Sequence, residues 1–589
     1  TRSIALPQAA KTPAVALWVA EDSMAQLSST LVQQEVTTKV RARTVALGAL
    51  YGFAFAYLAS LVVAVWAAYD GGQALARFYV LLSGVLLLML APVLSVISMT
   101  RIVTLAMSLP SLLALATGAL YVSQRIDRLA GYLPVTLSDN LASGILAITL
   151  PFAFATLWLA VRTRRIALGG IGAVALTVGL VAFVLTGSRG AWICLAAGAI
   201  IAAYLLLRHA IVSRRTRTPA WLMLLDVAVV AVAVAAIAFF VAVVLSPDLD
   251  ARFGVSAQGG SAFSRIALWR DSLPLIQDYY FTGSGLASTA MIYATYAYLL
   301  HVPYLVHAHN LYVQIALEQG VPGLIAFLGI IVSTVAYTVS AWRRTDEVGR
   351  GLLAAGYAAT IALLVHGLFD AELYFSTLAP LVFLAPALLL WVASGMYRHA
   401  RSDDWAEPVP AGRSAGLAIG AGLPVLVALL LPGTPARWEA NVGSALQSRT
   451  ELSIYHQPEW SFQDQVRRQL PNDLAAAEEH FQAALALDPA QPTANRRLGQ
   501  IALARGNYAA AQNFLSVAHA AQPAERVARQ LLGELEALQG DTEGAVELWQ
   551  GLDFSQGQLM VRGWWYEYFG EQIQHERFLN AVQAFERAQ

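Results

Sequence analysis

Charged side chains are scarce in this chain. Lys and Arg number 38, Asp and Glu 38, together 13% of 589 residues, against 57% apolar residues and a mean hydropathy of +0.56. A water-soluble globule of this size would lack polar surface, so the composition excludes one and requires a bilayer. Cysteine is nearly absent. The single one, Cys194, lies in an apolar segment, which excludes an intrachain disulfide and leaves a small core residue. Residues 1–40 lack the basic-then-apolar pattern of a cleavable signal, so the first apolar run is expected to direct insertion. The chain also lacks HExxH spacing. GSGLAS (283–288) lacks the Lys-Ser/Thr ending of a phosphate loop, and its Gly283 and Gly285 read as turn glycines.

What is present is a series of apolar runs long enough to cross about 30 Å of hydrocarbon. They fall at roughly 45–68, 78–98, 102–123, 140–161, 166–186, 190–207, 221–245, 321–341, 351–369, 375–397 and 414–432. Loops after alternate runs carry Arg162, Arg164 and Arg165, then Arg208, Arg214, Arg215 and Arg217, then Arg343, Arg344 and Arg350, then Arg398, Arg401 and Arg413. The positive-inside rule makes these cytoplasmic, together with Lys39, Arg41 and Arg43 ahead of the first run. The odd number of runs then puts the C-terminal part outside, in a periplasm or its equivalent.

Beyond the linker-like LPGTPARWE (431–439) the sequence turns polar and alanine-rich. A 34-residue offset aligns Ala477 with Ala511 and Ala545, Leu498-Gly499 with Leu532-Gly533, Gly506 with Gly540, and Pro489 with Pro523. That period resembles the tetratricopeptide repeat, a helical hairpin used for binding and scaffolding. The expected organisation is a cytoplasmic segment 1–44, a membrane domain 45–432 with an extracytoplasmic loop 246–320, a linker 433–470 and a repeat domain 471–589. The fold class is all-α.

Charge on the outward side stands out because there is so little of it. Arg189 sits in TGSRGAW (186–192), Arg125 and Arg128 in YVSQRIDRLAG, and Arg252, Arg265 and Arg270 in the long loop, the last two in SRIALWR. Guanidinium matches phosphate oxygens bidentately and keeps its proton, so a phosphate-bearing ligand fits these positions; snorkelling to lipid headgroups fits them as well. The densest histidine cluster, HVPYLVHAHN, holds His301, His307 and His309 ahead of Asn310. Histidine suits proton removal near neutral pH. His307 and His309 face one way if extended, and Asn310 is placed to cap the amphipathic LYVQIALEQG, leaving His309 just ahead of a helix N-terminus. His366, with Asp370 and Glu372 beyond it, is near enough in pattern to join them. Metal binding by His-x-His plus His301 or a carboxylate is the rival reading. Asp248-Leu-Asp250 reads as a coincidental loop pair.

TGSRGAW, SRIALWRDSLPLIQDYYFTGSGLAS, HAHNLYVQIALEQGVPGLIAFL and LVHGLFDAELYF occur in the order and context of the bacterial O-antigen ligase superfamily, which also holds O-antigen polymerases and pilin-type O-oligosaccharyltransferases. The chain resembles that superfamily over about residues 45–432. The resemblance implies a polytopic helical bundle and a metal-independent glycosyltransferase without cofactor, taking a glycan from a polyprenyl diphosphate such as undecaprenyl diphosphate. It also implies a catalytic base at His309 and diphosphate contacts at Arg189 and Arg265. Around these, His307 is expected to assist, Arg270 and Arg128 to add diphosphate contacts, and Asn310, His366 and Asp370 to support; no metal ligand is expected. The expected partners are the bilayer, the lipid-linked donor, an acceptor that is lipid, glycan or protein, and a protein held by the repeats; nucleic acid is not among them. The repeat tail is expected to receive or position the acceptor. A membrane-anchored repeat scaffold without enzymatic activity is the reading from another class.

Overall fold

The computed structural model describes residues 42–126, 136–215, 218–246, 261–303, 305–399, 410–454, 463–469, 471–554 and 557–588. Among them the regular structure is helical throughout, without a strand. Among the described residues eleven helices are long and apolar enough to span a membrane. Seven precede the long loop: α1 (Ala42–Ala67), α2 (Gly71–Leu90), α3 (Met99–Gln124), α4 (Asp139–Thr163), α5 (Ile166–Leu185), α6 (Arg189–Val212) and α7 (Ala220–Leu245). The loop itself folds into α8 (Ser261–Asp278) and α9 (Thr289–Tyr296). The remaining spans lie in α10 (Leu311–Arg344), α11 (Glu347–His366), α13 (Leu384–His399) and α14 (Pro410–Leu429), with the short α12 (Glu372–Phe375) between α11 and α13. Helix is the form in which an isolated span satisfies its own backbone in lipid.

Each apolar run of the sequence corresponds to one of these helices. The main difference lies at the eighth. LYVQIALEQG does not stand apart from that span but forms its first turns, joined to the rest across Gly320, whose φ is 72°. The join is forced by close approach: a Cβ on Gly320 would lie 2.7 Å from the Tyr280 carbonyl oxygen, which accepts from the Val321 N–H at 2.9 Å. The turn glycines Gly283 and Gly285, at φ 71° and 101°, fold the neighbouring loop onto the bundle through Ser284 N–H to Leu317 O and Leu286 N–H to Ala64 O.

Spans α4, α11 and that of α13 are the most enclosed and α7 the least. Helices α6 and α11 pack together, Gly198 against the Ala358 backbone, so the start of α6 lies beside the end of α11. The peripheral α7 is fastened near its ends rather than along its length. Arg208 pairs with Asp226 at 2.8 Å near one end, and Arg270 donates to the Val243 and Val244 carbonyls at the other.

The segment 433–470, expected to be a linker, is not one. It contains α15 (Thr434–Leu452) and α16 (Gln463–Gln469), and α15 pairs with α17 (Ala475–Leu487) as the first hairpin of the array. Further hairpins follow: α18 (Pro492–Ala504) with α19 (Tyr508–Ala521), α20 (Arg526–Gln539) with α21 (Thr542–Trp549), and α22 (Gln558–Tyr568) with α23 (Gln572–Ala588). One small residue recurs where the two helices of a hairpin touch. A Cβ on Gly443 would meet Phe481, on Gly499 Leu515, on Gly533 Trp549 and on Gly563 Leu579. The 34-residue period exposes only the middle two, since Gly443 lies 56 residues before Gly499 and Gly563 lies 30 after Gly533.

Candidate functional site

The turn between α11 and α12, residues 366–370, is where the candidate residues meet. Three successive carbonyl oxygens of it are engaged by the segment and helix packed over it. Gly367 O accepts from the Leu311 N–H at 2.7 Å, Leu368 O from Asn310 Nδ2 at 3.1 Å, and Phe369 O from an Arg265 guanidinium nitrogen at 2.7 Å. Asn310 also caps α10, its Oδ1 accepting from the Tyr312 and Val313 N–H groups at 3.0 and 3.1 Å. An Asn at this position satisfies helix donors that would otherwise be orphaned.

His309 precedes the cap in the left-handed region at φ 49°. For a residue with a Cβ this costs roughly 1–2 kcal/mol, so neighbours must hold it there. They do so through the adjoining Ala308 peptide: its N–H donates to Gln314 Oε1 and its carbonyl accepts from Trp269 Nε1, each at 2.9 Å. The His309 N–H donates to His307 Nδ1 at 3.2 Å, and the two imidazoles sit 4.1 Å apart. The positive φ thus turns both rings together.

Nδ1 of His309 faces Asp370 Oδ2 at 3.8 Å. That is beyond hydrogen-bond reach. Asp370 is 5% exposed; its other oxygen accepts from the Glu372 N–H at 2.7 Å. Burial alone would raise its pKa, but His309 and His366 outweigh that and hold the carboxyl below the usual range. Burial, with His309 and Arg265 nearby, pushes His307 down to about 4, leaving a neutral ring whose Nδ1 is free to accept. Glu372, by contrast, is raised by burial and accepts from Ser138 Oγ at 2.5 Å.

The other expected residues divide. Arg265 touches the turn directly. Arg189 is exposed in the first turn of α6, and the next residue, Gly190, lies against Phe369: a Cβ there would be 3.5 Å from that ring's Cβ. His366 is buried beneath the turn against Gly144. Arg270 is occupied with the C-terminal carbonyls of α7. His301 lies 6.4 Å from Trp564 of the repeat domain, apart from the His307–His309 pair. Arg128, and with it Asp248, Asp250 and Arg252, falls outside the described residues. Among the described residues no three His, Cys, Asp or Glu side chains form a metal-binding group.

Several residues that build the site went unread in the sequence. Trp269 lies one turn after Arg265 and reads as core. Gln314 and Glu318, also a turn apart, are completely buried: Gln314 Nε2 donates to Glu318 Oε1 at 3.0 Å and to Thr289 Oγ1 at 2.9 Å. Two polar side chains four residues apart in a spanning helix were the available signal. Arg77, in α2, donates to the Tyr374, Phe375 and Ser376 carbonyls, tying α12 down beside His307, which packs 5.9 Å from Phe375.

The stretch that brings Arg189, Arg265, Trp269, His309 and Gln314 together has a counterpart among known proteins. Residues 172–328 match the O-antigen ligase family. Residues 471–535 match a tetratricopeptide repeat family. No curated protein matches the chain. The O-antigen ligase region runs from α5 into α10 and is narrower than the resemblance of residues 45–432. Asp370, His366 and the turn that receives Arg265 lie beyond it.

Proposed function

We propose that the chain transfers a glycan from a membrane-anchored polyprenyl diphosphate to an acceptor hydroxyl on the extracytoplasmic face. The observation that carries this reading is the meeting of Arg265, His309 and Asp370 on one turn at an end of the bundle, inside and next to an O-antigen ligase match. Arginine clusters of the sequence gather at the other ends of the spans, which supports an outward-facing site.

Each residue then has a task. With its Nδ1–H directed at Asp370, His309 presents Nε2 to the acceptor and takes the hydroxyl proton as that oxygen attacks the anomeric carbon. The bond from the anomeric carbon to the phosphate oxygen breaks, and polyprenyl diphosphate leaves with its electron pair. Asp370 stabilises the imidazolium so formed, as a buried carboxylate does beside a catalytic histidine. Arg265 and Arg189 neutralise charge on the departing diphosphate. One displacement inverts the anomeric configuration. Neutral His307 keeps a second positive charge away from the imidazolium and turns its own nitrogen to the His309 backbone. The donor carries its own leaving group, so the scheme requires neither nucleotide nor ATP.

The test is mass spectrometry of envelope glycans and glycoproteins from cells with and without the gene, followed by assignment of the new linkage. Loss of a linkage whose anomeric configuration is opposite to the donor's supports the reading, and the molecule that loses sugar identifies the acceptor as lipid, polymer or protein. An unchanged glycan profile, or retained configuration, contradicts it.

A further inference from the structure

The inner helices of tetratricopeptide-like hairpins ordinarily offer a surface to a partner, and the sequence alone suggested such a use. Here that surface is covered by the chain itself. Residues 493–504 of α18 are buried on every side, whereas its hairpin partner α19 buries only Ala511, Leu515 and Ala518. Around it lie α15, α17, α19 and α20 of the array, together with α16 and, from the long loop, α8.

The contact with α8 is specific. Asp278, at its C-terminal end, is fully buried and accepts from Thr493 Oγ1 at 2.8 Å, Arg496 at 2.5 Å and Arg497 at 2.7 Å. Arg497 also lies 3.7 Å over the Tyr296 ring of α9. Burial penalises the Asp278 charge, yet Arg496 and Arg497 hold its pKa below the usual range. Seven residues earlier Asp271 engages the next repeat. It bonds Tyr298 and lies in the field of Arg526, the first residue of α20, whose guanidinium covers the Tyr298 ring at 5.4 Å. Seven residues are two helical turns, about 10.5 Å, which matches the 8–10 Å between packed helices. One face of α8 therefore reads two successive repeats in register. The cores also interlock: Leu299 of the loop sits in the repeat core, and Leu452 of α15 sits in the loop core.

Arg265 and Trp269, four residues apart, lie on a different face of the same helix and reach the site: Arg265 bonds Phe369 O and Trp269 holds Ala308 O. Helix α8 is thus a rod about 20 Å long between Arg265 and Asp278, gripped by the repeats at one end and carrying two site contacts at the other. We propose that the repeat domain is an internal brace, and that Asp278, through Arg496 and Arg497, is a positioning residue that sets Arg265 and the His309 segment. The repeats serve the chain's own loop rather than admitting an acceptor between α18 and α8. The catalytic part of this proposal rests on the transfer reading above; the mechanical part does not.

The experiment uses the full chain in lipid nanodiscs and compares wild type with Asp278→Asn. Amide hydrogen exchange is expected to accelerate in residues 265–270 and 305–310 of the variant, far from the substitution. In transfer assays kcat is expected to fall about 10- to 100-fold, the scale of a small misplacement of reacting groups, with acceptor KM unchanged. In an Arg265→Lys background the further loss is expected to be much smaller, since both changes act through one contact. Exchange confined to the repeats, a loss seen only in acceptor KM, or losses that multiply would each overturn the brace. Should Asp278→Asn not fold, Thr493→Val removes one bond while leaving both arginines paired, and the same pattern is expected at smaller amplitude. A short bismaleimide linking Gln277→Cys to Gln522→Cys, whose native amides bond at 2.8 Å, is expected to leave turnover intact; loss of turnover would mean the repeats must part from α8. If wild type shows no transfer, the exchange result still decides the brace, and only the functional reading fails.

Discussion

His309 Nδ1 and Asp370 Oδ2 face each other across 3.8 Å, both atoms buried and neither with a hydrogen-bond partner. Leaving two such groups unsatisfied is unfavourable, and a small rotation of the imidazole closes the gap. Catalytic hydrogen bonds are commonly long before substrate arrives and shorten as charge develops. Asp370→Asn keeps the oxygen that caps the Glu372 N–H but removes the charge. It is expected to lower kcat by about 10²- to 10⁴-fold with little change in donor KM, measured by steady-state transfer kinetics. Wild-type kcat would dismiss Asp370 from the mechanism.

Arg265 combines a backbone contact with a diphosphate role. Arg265→Ala loses both; Arg265→Lys keeps a point charge without the fork. The expected order of kcat/KM for donor is wild type, then Lys, then Ala, with at least tenfold between the first two and folded protein by size-exclusion chromatography. Equal values for Lys and Ala would mean that the charge itself contributes nothing.

His307 provides a pH signature. Its pKa falls from the ordinary value near 6.5 in the unfolded chain to about 4 when folded, chiefly through burial. Between those values the unfolded state binds a proton that the folded state excludes, so the contribution of His307 to stability is present above pH 6.5 and lost as pH falls towards 4. The apparent melting temperature is expected to fall between pH 7 and 5, and His307→Gln to flatten that slope. Titration of His307 is not expected in the pH–rate profile above pH 5.

The hold on Ala308 can be tested away from the reacting atoms. Gln314→Leu removes the acceptor of the Ala308 N–H and one of several donors to Glu318, leaving the buried Ala308 N–H unpaired at about 1–3 kcal/mol. Expected outcomes are a lower melting temperature and reduced kcat, with Gln314→Glu recovering part of the kcat because it restores the acceptor. No recovery would make Gln314 a packing residue only.

In the repeats, Gly499 admits no side chain, since a Cβ would stand 2.6 Å from Leu515 Cγ. Gly499→Val is expected to destabilise the array by about 1–3 kcal/mol, read by denaturant unfolding. If the brace holds, transfer falls with it.

Sequence patterns made some of this visible and not the rest, for physical reasons. Apolar length marks the spans because lipid demands it, and Asn310 followed by an amphipathic run marks a cap because the cap is local. Arg189, Arg265 and His309 stood out as charge or imidazole on a side otherwise poor in both. Arg270 stood out equally, yet it caps α7, a role that depends on which helix packs beside it. Trp269 and Gln314 act on the Ala308 backbone from positions 39 and 6 residues away, and no local pattern encodes such a pair. The helical hairpin that begins at Thr434 was obscured because Pro and Gly at 432–435 resemble a linker, while Gly433 at φ 70° and Pro435 in fact start a helix. The burial of α18 beneath α8 is a tertiary fact, and the period that identified the repeats could not show which surface they spend on their own chain.

The central claim is tested most directly by following release of polyprenyl diphosphate from a defined polyprenyl-diphosphate saccharide, with acceptor supplied, in proteoliposomes carrying wild type, His309→Ala or Arg265→Ala. Wild type is expected to release it in step with transferred sugar, and both variants to fall by at least about 10²-fold while remaining folded. Release by His309→Ala at the wild-type rate would contradict the account.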